Sequence, residues 1–424
     1  MIVHQLAGAG ALLGLLLAQP ESVDTQATDQ ATDQATEAQA TDALGVFAWP
    51  QWNGPQLDGV STESAWASEG KPDPLWEAEL GLGYSTVSIA GGKLYTMGYD
   101  VELGLDVVFC FDALTGEEVW AHAYPSEIWN RAHEGGTVNT PSVDGGVVFS
   151  LNREGNLYAL DAGTGEVNWH TELKGEEDLY ELLIPTWGFS GSPLILSDGL
   201  FLNCGRLLSV DKQSGEILWT SEDFGDGYGT PLSFTHRGKA ALAVVNSRGL
   251  GIVNRESGET LGFMEFGGTG RGVSASTPVL LGEDLLVSAS SIPASARINV
   301  SEDELAPVWT NTEMVTSFSG SIVMGGYIYG YDGSILKCVN QEGKPMWNER
   351  GIGNGAVAGA GDRLLVMGGN GEFMVLKATP ESFDVLSVVP LFEEGRFWSK
   401  PVIANGIIYC RSSKGKLVAL DHRL

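Results

Sequence analysis

The chain has 424 residues and carries 54 acidic side chains against 24 basic ones, a formal net charge of −30. A surface of that sign repels phosphate backbones and anionic headgroups, so nucleic-acid and lipid-surface binding fall outside the expected functions. With 57 glycines, 17 prolines and 12 tryptophans, the composition favours many short strands joined by tight turns, with aromatic area for a core.

Leu6 to Ala18 is an apolar run. As a helix it would reach only ~20 Å, short of the roughly 30 Å hydrocarbon core, so no transmembrane span is expected. Residues 1–19 are instead predicted to be an export signal. Residues 20–45 are predicted to be a disordered acidic linker. From Thr25 to Ala43 they repeat Ala-Thr-Asp-Gln without aromatic or large aliphatic side chains, too little apolar surface to offset the entropy of ordering. No cysteine precedes Cys110, so anchoring through an N-terminal cysteine is not expected, and the chain is predicted to be exported, periplasmic or associated with the cell envelope. Residues 46–73 form an entry segment that opens on Trp49-Pro50-Gln51-Trp52-Asn53-Gly54.

From residue 74 one pattern recurs. A Ser/Thr-rich entry leads to a short strand, a glycine turn, a second apolar strand, and a third strand ending in Asp or Asn. A Thr/Ser-Gly-Glu turn then precedes a fourth strand carrying Trp. The clearest copy starts at Thr140-Pro141-Ser142-Val143 and passes Val147–Leu151 and Leu157–Asp161 to reach Val167-Asn168-Trp169. Asp112, Asp161 and Asp211 each stand eight residues before Trp120, Trp169 and Trp219. The Asp carboxylate can accept backbone N–H bonds two or three residues on, and Gly116, Gly165 and Gly215 supply a positive φ. Trp309 and Trp347 end later copies. The copy near Leu376 to Leu391 has lost its Trp.

The last copy has three strands, ending at Leu417 to Asp421, and then the chain stops. Its missing fourth strand is supplied by Pro74-Leu75-Trp76-Glu77. The prediction is an all-β fold: an eight-bladed β-propeller of four-stranded antiparallel blades over residues 74–424, its ring closed by the N-terminal strand at Trp76.

The run Ala159-Leu160-Asp161-Ala162-Gly163-Thr164-Gly165-Glu166, with Trp169, resembles the repeat of the pyrroloquinoline-quinone (PQQ) propellers. The resemblance extends over residues 74–424, and the Trp49–Gly54 segment is similar to the one preceding the propeller in many such bacterial proteins. It implies one of two functions. One is a PQQ- and calcium-dependent oxidoreductase of alcohols or sugars, with both groups on the propeller axis. The other is a non-catalytic scaffold of the outer-membrane assembly factor BamB type. Alcohol-oxidising members often carry a vicinal disulfide over the quinone. Cys110, Cys204, Cys338 and Cys410 are all isolated in strand-like runs and read as buried thiols.

The loops joining one blade's outer strand to the next blade's inner strand gather at one face near the axis. There they hold Arg131, His133, Glu134, Trp187, Phe189, Tyr228, Arg271, Phe318, Arg396, Trp398 and Lys400. Aromatic and Arg side chains are what binding hot spots favour. The expectation is therefore a monomeric scaffold that grips a protein or peptide at this axial face. A carbohydrate or polymer module using Trp187 and Trp398 is an alternative, and no catalytic residue or metal ligand is assigned. The glycine-rich runs at Gly267–Gly272 and Gly351–Gly355 precede no amphipathic helix, so neither is a phosphate cradle.

Overall fold

A computed structural model of the chain describes residues 47–130, 133–173, 184–267, 275–290, 295–302, 304–316 and 318–424. The predicted signal and linker lie outside the described residues, as do Arg131 and Arg271. No helix long and apolar enough to cross a membrane occurs among the described residues.

Eight antiparallel sheets follow one another along the chain. Blades 1 to 7 span residues 88–125, 142–172, 194–220, 232–264, 279–311, 322–349 and 356–390. Blade 8 combines three strands of residues 402–421 with Pro74–Glu79, which pairs antiparallel with Lys416–Asp421. The ring is thus the predicted eight-bladed propeller, closed by the strand that carries Trp76. The first strand of each blade is innermost; those of blades 1, 2 and 3, and those of blades 5, 6 and 7, touch one another around the axis.

The repeat builds the joints between blades. Asp161 Oδ1 accepts the backbone N–H groups of Gly163 and Thr164 and the Thr164 hydroxyl, and Asp112 and Asp211 close their own turns in the same way. Those backbone and hydroxyl donors hold the Asp161 and Asp211 carboxylates below their ordinary pKa. A register shift between Val167 and Trp169 then delivers Trp169 opposite Ala159. Each indole lies over the turn glycine of the following blade: Trp76 over Gly116, Trp120 over Gly165, Trp169 over Gly215, Trp219 over Gly258 and Trp309 over Gly343. The indole N–H donates to a carbonyl in the same turn, as from Trp120 to Ala162 (3.1 Å) and from Trp76 to Ala113 (3.1 Å). Between them, apolar side chains from each pair of neighbouring blades form a buried cluster. One such cluster holds Tyr95, Met97 and Val108 of blade 1 with Val148 and Leu160 of blade 2.

The entry segment precedes the propeller in sequence but lies inside it in space. Phe47 exchanges hydrogen bonds with the side chain of Asn405, in the turn at the far end of blade 8's innermost strand. Trp49 pairs antiparallel with Ile89 of blade 1, the Pro50 carbonyl accepts from Val143 of blade 2, and Gln51 bonds both backbone groups of Ile195 of blade 3. The chain turns at Asn53 and Gly54, both at positive φ. It returns as Val60–Ser61, parallel to Gly359 and Ala360 of blade 7. Glu63 then accepts from the backbone N–H groups of Asn405 and Gly406, the same far-end turn at which the segment entered. Residues 47–63 are therefore a hairpin-like plug in the central channel, with Trp52 and Asn53 at its tip.

The turn glycines can be tested as a matched pair. Gly145 and Gly165 both have positive φ, but a Cβ at Gly145 meets open space whereas one at Gly165 would lie 2.7 Å from the Trp120 ring. Gly145→Ala is expected to cost about 1–2 kcal/mol for its backbone conformation alone. Gly165→Ala should lose about 1–3 kcal/mol more through overpacking, read as the difference in urea unfolding midpoints at equal slope.

Candidate functional site

In blades 1, 2 and 3 the inner strand is entered through a Ser or Thr that ties its blade to the next. Thr86 N donates to Thr140 Oγ1, Thr140 N to Ser192 Oγ, and Ser192 N to Thr230 Oγ1, each at about 3 Å. Two residues before this strand-entry position, one side chain from each of seven blades lines the axis: Tyr84, Val138, Ser190, Tyr228, Ala275, Phe318 and Trp398 in blades 1, 2, 3, 4, 5, 6 and 8. They surround a cavity of about 340 Å³ whose floor includes Trp52 of the plug. The pocket is thus one repeat position displayed around the ring, closed from below by the chain's own segment.

The wall is asymmetric. Phe318 stacks on Trp398 (centroids 4.1 Å apart, 14° between planes), and Tyr84 stacks on Trp398 (4.9 Å, 21°). The exposed ring of Phe318 ends this stack on the pocket side. Blades 2, 3 and 5 present the small side chains Val138, Ser190 and Ala275 instead. The glycine-rich loop of residues 351–355 places only Asn354 at the corresponding position of blade 7.

Charge at the mouth is arranged in two sets. Glu134 accepts from the Tyr84 hydroxyl (2.6 Å), pairs with Arg396 (3.4 Å) and lies 4.0 Å from Lys414. The Arg396 guanidinium sits over the Trp398 ring at 5.1 Å. Burial opposes ionisation of Glu134, but the Tyr84 bond and the two cations hold its pKa below the usual value. Deeper, Arg153 is 6% exposed, and its Nη1 donates to the Trp129 carbonyl (3.3 Å). Burial lowers its pKa to about 10. His133 lies between the sets. Burial first, then Arg153 and Arg396, lower its pKa to about 4, so the ring is neutral at pH 7.

The structure brings His133, Trp187, Tyr228, Phe318, Arg396 and Trp398 together on this pocket, with Glu134 at its rim. Two candidates from the same loops lie elsewhere. Phe189 is fully buried between blades 2 and 3, packed against Gly155. Lys400 is also buried, beneath Trp52, where its amine donates to Asn53 Oδ1 (2.8 Å) and faces the Trp52 ring at 5.3 Å. Burial lowers the Lys400 pKa to about 7, against the opposing pull of Asp58. Phe189 stands one residue before the pocket-facing Ser190 and points between the blades, whereas Lys400 stands two residues past Trp398 and points to the axis below the cup, where the plug covers it. Trp52, Tyr84 and Arg153 were missed. Tyr84 occupies the same repeat position as Trp398, so aligning the inner-strand entries would have found it. Trp52 and Arg153 carry no periodic signal.

A quinone held by calcium would require several oxygen donors around the ion. Glu134 is the carboxylate at the rim, and both its oxygens are committed to Tyr84 and to cations. Among the described residues no group of three or more His, Cys, Asp or Glu side chains is placed to hold a metal ion. The donor set does not fit a calcium-held quinone, and no step is derived through one.

A titration of ring signals should place the His133 midpoint near 4, well below the 6.5 of a free imidazole. A midpoint at 6 or above would contradict the buried, doubly cationic surroundings assigned to it.

A family model described as outer membrane protein assembly factor BamB matches residues 104–349 and 331–423. No curated protein matches the sequence. Among solved structures, BamB from Moraxella catarrhalis superposes with a TM-score of 0.60 at 15% identity, covering 82% of this chain and 97% of that one. Quinohemoprotein alcohol dehydrogenase from Comamonas testosteroni gives 0.66 at 11% identity, covering 88% and 80%. A europium-containing methanol dehydrogenase gives 0.60 at 12%, covering 88% and 89%. At these identities the structural likenesses establish the fold alone.

Proposed function

The chain belongs to the BamB-type family of PQQ-like repeat propellers, and on that premise we propose that it is an exported, non-catalytic scaffold that grips a protein or peptide partner at its axial pocket. The observation that carries this reading is the pocket itself. One repeat position per blade supplies a stacked aromatic wall, and two guanidiniums sit beside it in a chain of net charge −30. Aromatic rings and Arg side chains in a partly desolvated concavity are the composition of binding hot spots.

The plug supports the same reading. With Trp52 beneath it, the pocket is a blind cup and not a pore, so an occupant enters and leaves by one mouth. The cup is narrow, and it accepts one chain end or one protruding side chain; any remaining contact area would come from the surrounding loops. The buried cysteines have thiol pKa values raised by burial and no partner sulfur, so they offer no redox pair to the site.

A photo-crosslinking amino acid at Phe318, at the rim, should trap a discrete protein partner in the envelope of the producing cell. The same group at Leu218, exposed on the outer strand of blade 3, should not. Stoichiometric uptake of PQQ with Ca²⁺ by the purified protein, with alcohol-dependent dye reduction, would instead establish the oxidoreductase alternative and overturn the scaffold.

A further inference from the structure

Two donors on the inner wall of the pocket lack an acceptor among the described residues. Nδ1 of His133 accepts a hydrogen bond from the backbone N–H of Gly135 (3.1 Å). In a neutral ring that fixes the proton on Nε2. Nε2 lies 3.5 Å from Nη2 of Arg153, and a guanidinium nitrogen also only donates. Two N–H donors thus stand side by side with no oxygen between them. Nε of Arg153 also has no acceptor, and no carboxylate lies within ion-pair distance of the guanidinium among the described residues.

A second buried arginine is more fully bonded. Arg411, between blades 8 and 1, also lacks a carboxylate partner. Its Nε also has no acceptor, but its two Nη nitrogens donate to the carbonyls of Ser85, Met97 and Gly81 and to the Thr96 hydroxyl, and it does not line this pocket. Arg153 has one protein carbonyl and a pocket wall. An unpaired buried charge is costly, and its cost is relieved by an anion that brings its own oxygens. Arg396 is already engaged by Glu134, and the buried Asp106 acts on Arg153 only from beyond ion-pair distance, so the guanidinium still has room for an acid oxygen brought by a ligand.

Next to this donor pair stands the aromatic stack. The His133 ring is edge-on to Tyr84 (5.0 Å) and to Trp398 (6.1 Å), and the stack ends at the exposed Phe318. A flat ring entering the pocket continues the stack, while an acid group on the same molecule reaches His133 and Arg153. Resting on the reading that the axial pocket is the binding site, we propose that it is a receptor for an aromatic carboxylate: the ring extends the Trp398–Phe318 stack and the carboxylate supplies the missing acceptor between Arg153 and His133. Two sources present this chemistry, the C-terminal aromatic residue of a peptide and a free small aromatic acid.

The test is calorimetric titration of the full chain with four probes. N-acetyl-phenylalanine carries ring, carboxylate and amide; 3-phenylpropionate carries ring and carboxylate; N-acetyl-phenylalaninamide lacks the charge; N-acetyl-alanine lacks the ring. The acids with rings should bind, and the amide and the ring-less acid should each be weaker by about tenfold or more, the worth of a charge-assisted hydrogen bond or a desolvated ring stack. Arg153→Gln should abolish the preference for acid over amide, and Phe318→Ala should weaken both ring-bearing acids. Because Arg153 is buried, a melting curve accompanies that variant; the exposed Phe318 gives a readout that does not depend on it. Tighter binding of N-acetyl-phenylalanine than of 3-phenylpropionate assigns the site to a peptide end, and equal binding assigns it to a free acid. If the amide binds as well as the acid, or Arg153→Gln leaves the preference intact, the carboxylate assignment is overturned while the binding pocket stands. If none of the ring-bearing probes binds, the aromatic-acid receptor is overturned outright; a partner still trapped at position 318 would leave the scaffold reading in place.

Discussion

A tryptophan ring laid over the bare α-carbon of a glycine in the neighbouring sheet sets the geometry of this molecule. The contact recurs at Trp76–Gly116, Trp120–Gly165, Trp169–Gly215, Trp219–Gly258 and Trp309–Gly343. It needs a positive φ at the glycine, which the Asp or Asn turn provides, and it admits no Cβ. Each indole N–H that donates to the facing turn carbonyl also fixes rotation of one blade against the next. Blade-to-blade angle, and therefore ring size, follows from repetition of that one joint. Ring closure at Trp76 uses the same joint, so the N-terminal strand is held by the same physics as every internal blade.

With the ring closed, the inner strands present a column of backbone and hydroxyl groups around a channel that water or protein must satisfy. This chain fills it with residues 47–63. Gln51, Asn53 and Glu63 are buried there and bond inner strands or turns of blades 3 and 8. The plug also brings Asp58 towards the buried amine of Lys400. Burial raises the Asp58 pKa and lowers that of Lys400, so each group is held where its neighbour's opposite charge partly compensates the lost water. The consequence for function is that Trp52 becomes a floor. A ring that would otherwise be open at both ends presents one cup at one face.

The fold was legible because its determinants are local and periodic. Asp-x-x-Thr/Ser-Gly followed by Trp four residues on, as from Asp112, Asp161 and Asp211, encodes a turn, a positive φ and a blade joint in one short string, and eight copies of the blade pattern define a ring. Even the absence of Trp in two copies is informative: at Gly262, Leu305 of blade 5 covers the space a ring would fill. The pocket was legible only in part. Trp187, Tyr228, Phe318, Arg396 and Trp398 fall in loops that the repeat places near the axis. Within such a loop, one residue separates Phe189 in the core from Ser190 on the pocket wall, and Lys400, two residues past Trp398, lies under the plug, which is how both came to be grouped with them. Trp52 could not be read, because the path of the entry segment depends on long-range contacts with five blades. Arg153 stands just after blade 2's second strand, where the repeat assigns no role.

Under the proposed function a partner is held at the axial cup, and not at the outer edge strands or the far face. Hydrogen exchange of the isolated protein against its cross-linked or ligand-bound form measures this directly. Binding at the cup protects backbone amides in the inner-strand entries near residues 133–138, 187–192, 228–230 and 396–399 and at the plug tip near Trp52, with the outer strands at 118–125 and 167–172 unchanged. Protection confined to those outer strands, with the entries and plug tip exchanging as before, would contradict it.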